Sequence, residues 1–193
     1  MIAFLKGHFA IKTPAYVVVD VNGVGYGVQI SLQTYSAIAE KDKGLLHTYL
    51  HITENAQVLY GFAEEAEKEM FLQLISVSGV GAATARMMLS GMKINEIAGA
   101  IAAANVNQLS LIKGIGKKTA ERIIVELKDK LQKQISTSTS DFAAVASPNV
   151  DAVDALVALG ITKNVAEQAV KKVIIANPSI SLENIIKLAL KNL

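Results

Sequence analysis

The chain has no cysteine, no apolar run long enough to cross a membrane, and a net charge of only +2 over 193 residues. The missing cysteine excludes disulfides, thiolate metal sites and a cysteine nucleophile. The missing apolar run excludes a transmembrane helix. Lys6 and His8 also interrupt the N-terminal segment, where a signal peptide would be apolar throughout. Because 51% of the residues are hydrophobic, we expect a compact cytoplasmic protein with more than one core.

The small positive charge is concentrated in one segment. Residues 113–133 contain seven Lys or Arg against three Asp or Glu. A basic helix face exposed to solvent is the simplest explanation of such a cluster. This cluster coincides with a repeated motif, however, and therefore favours a polyanionic partner.

Two segments of the chain are copies of each other. Residues 74–89 read LISVSGVGAATARMML and residues 109–124 read LSLIKGIGKKTAERII. Each copy predicts a helix, a tight turn with two glycines, and a second helix. The glycines leave no Cβ in the path of a phosphate, and the unpaired N–H groups at the helix start attract an anion. The candidate phosphate-binding residues are Gly79, Val80, Gly81 and Arg86 in the first copy, and Gly114, Ile115, Gly116, Lys117, Lys118, Thr119 and Arg122 in the second.

A single G-x-G sequence before a helix is often an ordinary turn, but two aligned copies indicate paired helix-hairpin-helix motifs. Neither copy has the G-x-G-x-x-G pattern that follows a strand in dinucleotide-binding folds, and neither has the P-loop pattern. A site built from backbone N–H groups contacts phosphates and not bases, so the motifs predict DNA binding without sequence preference.

The chain divides into four regions, which together give a multidomain α+β protein. Residues 1–62 contain five short β-type runs with one helix, 32–39, after the third run, which is the element order of an OB-fold barrel. Residues 63–133 have helical apolar spacing. Residues 134–149 are rich in Ser, Thr and Ala and predict a flexible linker. Residues 150–193 predict a small unit of three short helices with an apolar surface for a partner.

An enzyme with the same hairpins is the alternative. A helix-hairpin-helix glycosylase needs an Asp shortly after the hairpin, yet the first one after Gly116 is Asp129. The four acids Glu64, Glu65, Glu67 and Glu69 are typical of the charged first turn of a helix, and not of a metal site. The three histidines, His8, His47 and His51, have no metal-ligand spacing. We therefore predict no catalytic, metal or cofactor site.

The segment GIGKKTAERIIVELKDK at 114–130 strongly resembles the second hairpin of the RuvA family, the Holliday-junction-binding subunits of bacterial branch-migration complexes. The chain is similar to that family also in MIAFLKG at the N-terminus, NGVGYGV at 22–28, LYGF at 59–62, SGVG at 78–81 and LVALG at 156–160. The resemblance covers the whole chain except the linker.

The resemblance implies a non-catalytic, cytoplasmic protein that acts in bacterial recombination and DNA repair. It implies a homotetramer that holds four-way junction DNA open on one face, either alone or as one of two tetramers around the junction. It also implies two protein partners, the hexameric motor ATPase RuvB and the junction resolvase RuvC. The tail would be a UBA-like RuvB-binding domain, with Leu156, Leu159, Gly160 and Ile161 as its contact residues.

The chain departs from the family pattern at two places. Ala82 and Ala83 stand where the family often has a lysine, so the first hairpin would rely on backbone N–H groups and on Arg86. The family also has an acidic pin of two adjacent carboxylates between its last two strands. Here the corresponding pair is Glu54-Asn55, with one carboxylate per subunit.

Overall fold

The computed structural model of the protein describes residues 1–138, 148–177 and 180–191. They form two compact units, Met1–Gln134 and Ile135–Leu193. The elements of the barrel are β1 (Phe4–Thr13), β2 (Tyr16–Val21), β3 (Val24–Ile30), α1 (Leu32–Ile38), β4 (Lys43–Ile52) and β5 (Gln57–Phe62). The helices that follow are α2 (Glu65–Ile75), α3 (Ala82–Gly91), α4 (Ile94–Ala102), α5 (Val106–Ser110), α6 (Lys117–Ser138), α7 (Pro148–Ala158), α8 (Lys163–Ala176) and α9 (Leu182–Lys191).

The five strands close into a barrel in the order β1-β2-β3-β5-β4, which confirms the predicted OB-type architecture. All neighbouring strands are antiparallel except β3 and β5, which are parallel. Alternate residues of the strands point inward and fill the barrel, as the period of two requires. Val17, Val19, Val28, Ile30 and Leu46 are all at most 1% exposed.

A tight hairpin turn joins β2 and β3. Asn22 and Gly23 both have positive φ, 52° and 90°, as the two central residues of a type I′ turn require. The backbone N–H of Gly23 donates to the carboxylate of Asp20 at 2.7 Å. The register of β2 and β3 is therefore fixed locally, by turn chemistry visible in the sequence.

A second core lies among α2 to α6 and continues into the barrel through Tyr60 and Phe62. Leu74, Leu89, Ile101, Leu109 and Ile123 are fully buried in it. Such side chains each contribute roughly 1.5–3 kcal/mol by leaving water. Residues of β5 thus belong to the core of the helices, which fixes the hairpins relative to the barrel within the first unit.

The acids at 64–69 lie at the start of α2 as predicted, with Glu65 and Glu67 in its first turn, but Glu67 is buried there. Its side chain is 3% exposed, between α2 and the start of α1. The hydroxyl of Ser31 donates a short hydrogen bond to one carboxylate oxygen, and the hydroxyl of Thr34 donates to the other at 2.6 Å. Burial raises the pKa of Glu67, and the two hydroxyl donors oppose that shift. The sequence did not predict this burial because the partners lie in the barrel.

The ends of the linker predicted at 134–149 overlap two helices, and its bounds stay a prediction. Helix α6 continues to Ser138 because no glycine or proline interrupts it, and α7 already begins at Pro148, which is favourable at a helix start. The remaining linker positions, 139–147, lie outside the described residues.

The C-terminal unit packs α7, α8 and α9 around a small core, as predicted. Among the fully or almost fully buried side chains are Leu156, Ala166, Val170, Val173 and Ile185. Gly160 ends the first of these helices with φ of 92°, the left-handed conformation that glycine adopts most easily. Across both units, none of the helices in the described ranges has the length and apolarity needed to span a bilayer.

Candidate nucleic-acid interface

The two sequence copies fold into two hairpins with the same backbone. We call α2, the turn 76–81 and α3 the first hairpin, and α5, the turn 111–116 and α6 the second hairpin. In each one the apolar residue between the glycines is buried: Val80 is 5% exposed and Ile115 is 4% exposed. Their backbone N–H groups donate to Val77 and Ile112 respectively, both at 3.0 Å. The same closed turn therefore starts both second helices.

These bonds correct the prediction for Val80 and Ile115. Each has its side chain in the core and its N–H group bonded within the turn, so neither offers a donor to a phosphate. Their role is to anchor the turn. We therefore remove both from the candidate phosphate ligands.

The two glycines of each turn have different roles. The first ones, Gly79 and Gly114, have φ of 89° and 94°, so the turn itself needs glycine there. The second ones, Gly81 and Gly116, lie outside the positive-φ region, and a Cβ added to either would meet no protein atom within 4 Å. At these second positions the turn tolerates a side chain, and the space beside the backbone is open.

The second glycines are also the N-caps of α3 and α6. Gly81 accepts the first helical bond from Ala85, and Gly116 accepts it from Ala120, both at 2.9 Å. A glycine has no side-chain oxygen to cap the free N–H groups of the first turn. Those donors are left for an external anion, and the helix dipole favours a negative charge at the same place.

The two hairpins differ in charge. Lys117 and Lys118 are exposed in the first turn of α6. Their counterparts are Ala82, which is buried, and Ala83, which is exposed and uncharged. Thr119 is half-buried, as is its counterpart Thr84. Only the second hairpin adds cations to the backbone donors.

Arg122 joins the hairpins to each other. Its guanidinium Nη1 donates to the carbonyl of Ser78, in the first turn, at 3.0 Å. Thr84 in turn approaches the second turn, since its hydroxyl and methyl lie 3.9–4.0 Å from where a Cβ on Gly114 would be. The two candidate phosphate-binding turns are therefore neighbours within the first unit of one chain.

Arg86 corrects a second prediction. Its Nη1 donates to the carbonyl of Ala15 at 2.9 Å and to the side-chain oxygen of Gln29 at 2.7 Å. Both acceptors belong to the barrel side of the first unit. Arg86 therefore anchors α3 to the barrel, and we withdraw it from the phosphate-binding set. No local pattern indicated this anchor, because the acceptors are distant along the chain.

The turn between β4 and β5 carries the residues of the predicted pin. It is closed by the N–H and the hydroxyl of Thr53, which both donate to the carbonyl of Ala56, at 2.8 and 3.2 Å. Glu54 and Asn55, at the tip of this turn, are exposed. The single chain thus presents one carboxylate here, free to face a polyanion.

The predicted contact residues of the tail are placed differently from one another. Leu156 is completely buried in the core of the C-terminal unit. It is therefore not a contact residue, and we withdraw it from the predicted RuvB-binding residues as a correction. Leu159 is 64% exposed, while Ile161 is half-buried against the same core. The sequence prediction missed several other exposed apolar side chains of this unit: Val150, Val157, Val165 and Ile175.

A closed five-stranded barrel packed against two glycine-capped hairpins, the second of them basic, is typical of a DNA-binding protein that contacts the phosphate backbone. Three family models match the chain. They are the RuvA N terminal domain over residues 1–61, the SAM-like helix-hairpin-helix tandem over 71–129, and the RuvA C-terminal domain over 147–193.

Curated relatives match along the full length. A protein of Cytophaga hutchinsonii is 45% identical over 197 residues, with 99% of both chains covered. One of Bacteroides fragilis is 44% identical over 201 residues, and one of Stutzerimonas stutzeri is 39% identical over 202, each with both chains fully covered. All three are named Holliday junction branch migration complex subunit RuvA. The chain belongs to the RuvA family.

Proposed function

We propose that this protein binds four-way DNA junctions as a non-catalytic scaffold, in the bacterial cytoplasm where that DNA lies, and that it serves a branch-migration motor. The observation that carries the proposal is the pair of adjacent hairpins, each with a glycine N-cap open to solvent. Two such turns on one subunit bind phosphates without reading bases. The names of the relatives supply the kind of DNA, a Holliday junction.

Assembly follows from the DNA structure that is bound. A four-way junction has four equivalent arms, and a four-fold homotetramer would offer one pair of hairpins to each arm. Binding several arms at once raises affinity without new contacts, so the assembly prefers a junction to a linear duplex. We propose the homotetramer as the basic unit, with two of them able to enclose one junction.

The turn at Glu54 and Asn55 would lie at the centre of that assembly. Four copies of Glu54 would then bring four carboxylates close together at the crossover, where phosphates pass. Their repulsion would keep strands apart, although salt screens it. The proposal gives this reduced pin a weaker effect than a pair of carboxylates per subunit would have.

We further propose that the C-terminal unit binds the RuvB ATPase through exposed apolar side chains such as Leu159, next to Gly160 and Ile161. Several exposed apolar side chains on a unit this small are consistent with a binding site for another protein. The division into barrel, hairpin domain, linker and C-terminal domain assigns DNA binding to the first two and motor binding to the last. The resolvase RuvC is proposed as a second partner, on the family resemblance alone.

The test of junction binding compares an immobile four-way junction with a linear duplex of the same arm length, in a gel-shift titration. We expect much tighter binding of the junction, with a steep salt dependence for both DNAs. Equal affinity for the two DNAs would refute the scaffold proposal.

A truncation tests the role of the C-terminal unit. Removing residues 150–193 should leave junction affinity within about twofold and abolish stimulation of RuvB ATPase activity, because the first unit, Met1–Gln134, has its own core. Loss of junction binding or of tetramers in the truncated protein would show that this unit has a role in the assembly instead.

A further inference from the structure

The polar contacts between the barrel and the first hairpin are concentrated on one short segment, residues 29–34. This segment contains the end of β3 and the start of α1. Gln29 accepts from Arg86 of α3, and Ser31 and Thr34 donate to Glu67 of α2. Both helices of the first hairpin are therefore bonded to six consecutive barrel residues. We call residues 29–34 together with Glu67 and Arg86 the clasp.

The clasp also holds the far end of α3. The side-chain amide of Gln33 donates to the carbonyls of Leu89 and Met92, at 2.6 and 2.5 Å. The N–H of Leu32 donates to the hydroxyl of Ser90 at 3.1 Å. Helix α3 is consequently bonded to the barrel both in its middle and at its C-terminal end, while its N-terminal end forms the phosphate-binding turn.

Arg86 contributes more than packing to this arrangement. Its acceptors are a backbone carbonyl, an amide oxygen and, at 3.5 Å, the carbonyl of Ile30. Charged donors make stronger and more directional bonds than neutral ones. All three bonds come from one amino group, Nη1, which the planar guanidinium holds in a fixed orientation. Arg86 therefore fixes the orientation of α3 about the barrel, not only its distance from it.

The position of Arg86 relates this orientation to DNA. Arg86 lies five residues after Gly81, which is about 7 Å along the helix axis from the phosphate-binding turn. A small rotation at Arg86 would move that turn and, through the bond from Arg122 to Ser78, the second hairpin with it. The central turn at Glu54 belongs to the barrel. Arg86 thus sets the geometry between the barrel turn and both hairpins.

We propose that Arg86 is a positioning residue for junction specificity, which it confers through the clasp and not through contact with DNA. The inference rests on the proposed junction binding. A linear duplex needs only the hairpins of the subunit that it touches. A four-way junction must satisfy several pairs of hairpins and the barrel turns together, so loosening their relative orientation lowers effective concentration only for the junction.

The experiment uses the full-length protein and three variants. Arg86→Met removes the guanidinium but keeps a long side chain, and Arg86→Lys keeps the charge with a single donor group. Lys93→Met is the matched control, because it removes one exposed positive charge beyond the C-terminal end of the same helix, outside the clasp. Dissociation constants for an immobile four-way junction and for a linear duplex are measured by fluorescence anisotropy over a range of salt, alongside thermal unfolding.

We expect Arg86→Met to lower the ratio of junction affinity to duplex affinity about tenfold, with the duplex dissociation constant within twofold of the wild type. Arg86→Lys should restore part of the ratio, and Lys93→Met should change it by less than twofold. An unchanged ratio with a lower unfolding temperature would assign Arg86 a purely structural role. A loss of duplex affinity together with a shallower salt slope would make it a phosphate ligand. Either result overturns the inference.

A second variant keeps the test decisive if Arg86→Met does not fold. Gln29→Leu removes the side-chain acceptor and leaves the guanidinium and its charge in place. It should also lower the ratio of junction affinity to duplex affinity. An unchanged ratio in a folded Gln29→Leu protein refutes the inference. The wild-type measurement separates the two proposals, because a wild type without junction preference refutes the proposed function itself.

Discussion

The first and second hairpins have the same turn geometry, but they differ in charge and in their hydrogen bonds to the barrel. The turn of each hairpin contains a glycine at positive φ, then a buried apolar residue, and ends on a glycine that is the N-cap of the next helix. The first hairpin has no cation in its phosphate-binding turn and is bonded to the barrel through Glu67 and Arg86. The second has Lys117 and Lys118 in the first turn of α6.

The comparison shows that the anion site and its charge are separable properties. The site depends on backbone geometry, which both copies keep, because uncapped N–H groups at a helix start exist whatever side chains follow. The two copies of one motif therefore differ in charge while keeping the same turn, and under the proposed function the first would fix orientation while the second adds affinity.

The largest expected effect separates the two glycines within a hairpin. Gly116→Val should lower junction affinity at least tenfold while the unfolding temperature stays within a few degrees, because the new side chain meets only the space that a phosphate would enter. Junction binding and thermal unfolding of the same sample check this. Gly99→Val, at an exposed glycine on α4 with open space beside it, is the control.

Gly114→Ala should give the opposite pattern. Its φ of 94° is strained for any residue with a Cβ, so the free energy of unfolding should fall by about 1–3 kcal/mol. Gly79→Ala, at φ of 89°, should cost a similar amount. If Gly116→Val unfolds the protein and Gly114→Ala does not, the division of roles between the glycines is wrong.

The second prediction exchanges charge between the hairpins. Lys118→Ala should make the dependence of log affinity on log salt shallower by about one unit for each subunit that contacts the DNA, because each loses one phosphate contact, so the change is larger for the junction than for the duplex. Ala83→Lys should make it steeper by a similar amount per subunit, since Ala83 is exposed at the equivalent position. Salt titrations of both variants and of the double variant are the measurement. A change in affinity that does not depend on salt would contradict a purely electrostatic role.

The third prediction concerns the turn at Glu54 and Asn55, whose negative charge would repel the DNA that both hairpins bind. Glu54→Gln should tighten junction binding by a few-fold and Asn55→Asp should weaken it by a similar factor, with both effects shrinking as salt rises. Titration of both variants at low and high salt checks the signs. Unchanged affinity at low salt in both variants would remove this turn from the junction centre.

The smallest effect tests the anchor of the first hairpin. Burial raises the pKa of Glu67 in the folded protein above its value in the unfolded chain. The folded state therefore binds the proton more tightly, and the free energy of unfolding should fall as pH rises from the unfolded pKa through the folded pKa. Glu67→Gln removes this dependence, so the stability of the wild type relative to the variant should decrease over that window.

Chemical unfolding of both proteins from about pH 4 to pH 8 measures the difference, a range that covers ordinary and raised glutamate pKa values. Other titrating groups are common to the two proteins and cancel. If the free energy of unfolding of the wild type minus that of Glu67→Gln stays constant or increases with pH, the pKa of Glu67 is not raised.

The sequence by itself determined the features that depend on neighbouring residues. The β2–β3 turn follows from Asn22-Gly23, the hairpins follow from their glycine spacing, and the barrel order follows from short alternating runs. These are local because backbone conformation and side-chain periodicity are set within a few residues. The resemblance to the RuvA family was visible in the sequence for the same reason, because its motifs are short runs of neighbouring residues.

Only the tertiary structure decided what the side chains of Arg86, Glu67 and Leu156 contact. Arg86 meets Gln29 across 57 residues of chain, and Glu67 meets Ser31 across 36. An arginine beside a phosphate-binding turn and a glutamate in a first helical turn have the same local pattern whether they are solvated or buried. Their partners come from another part of the fold, so the packing of the barrel against the first hairpin made one an anchor and the other a buried acid.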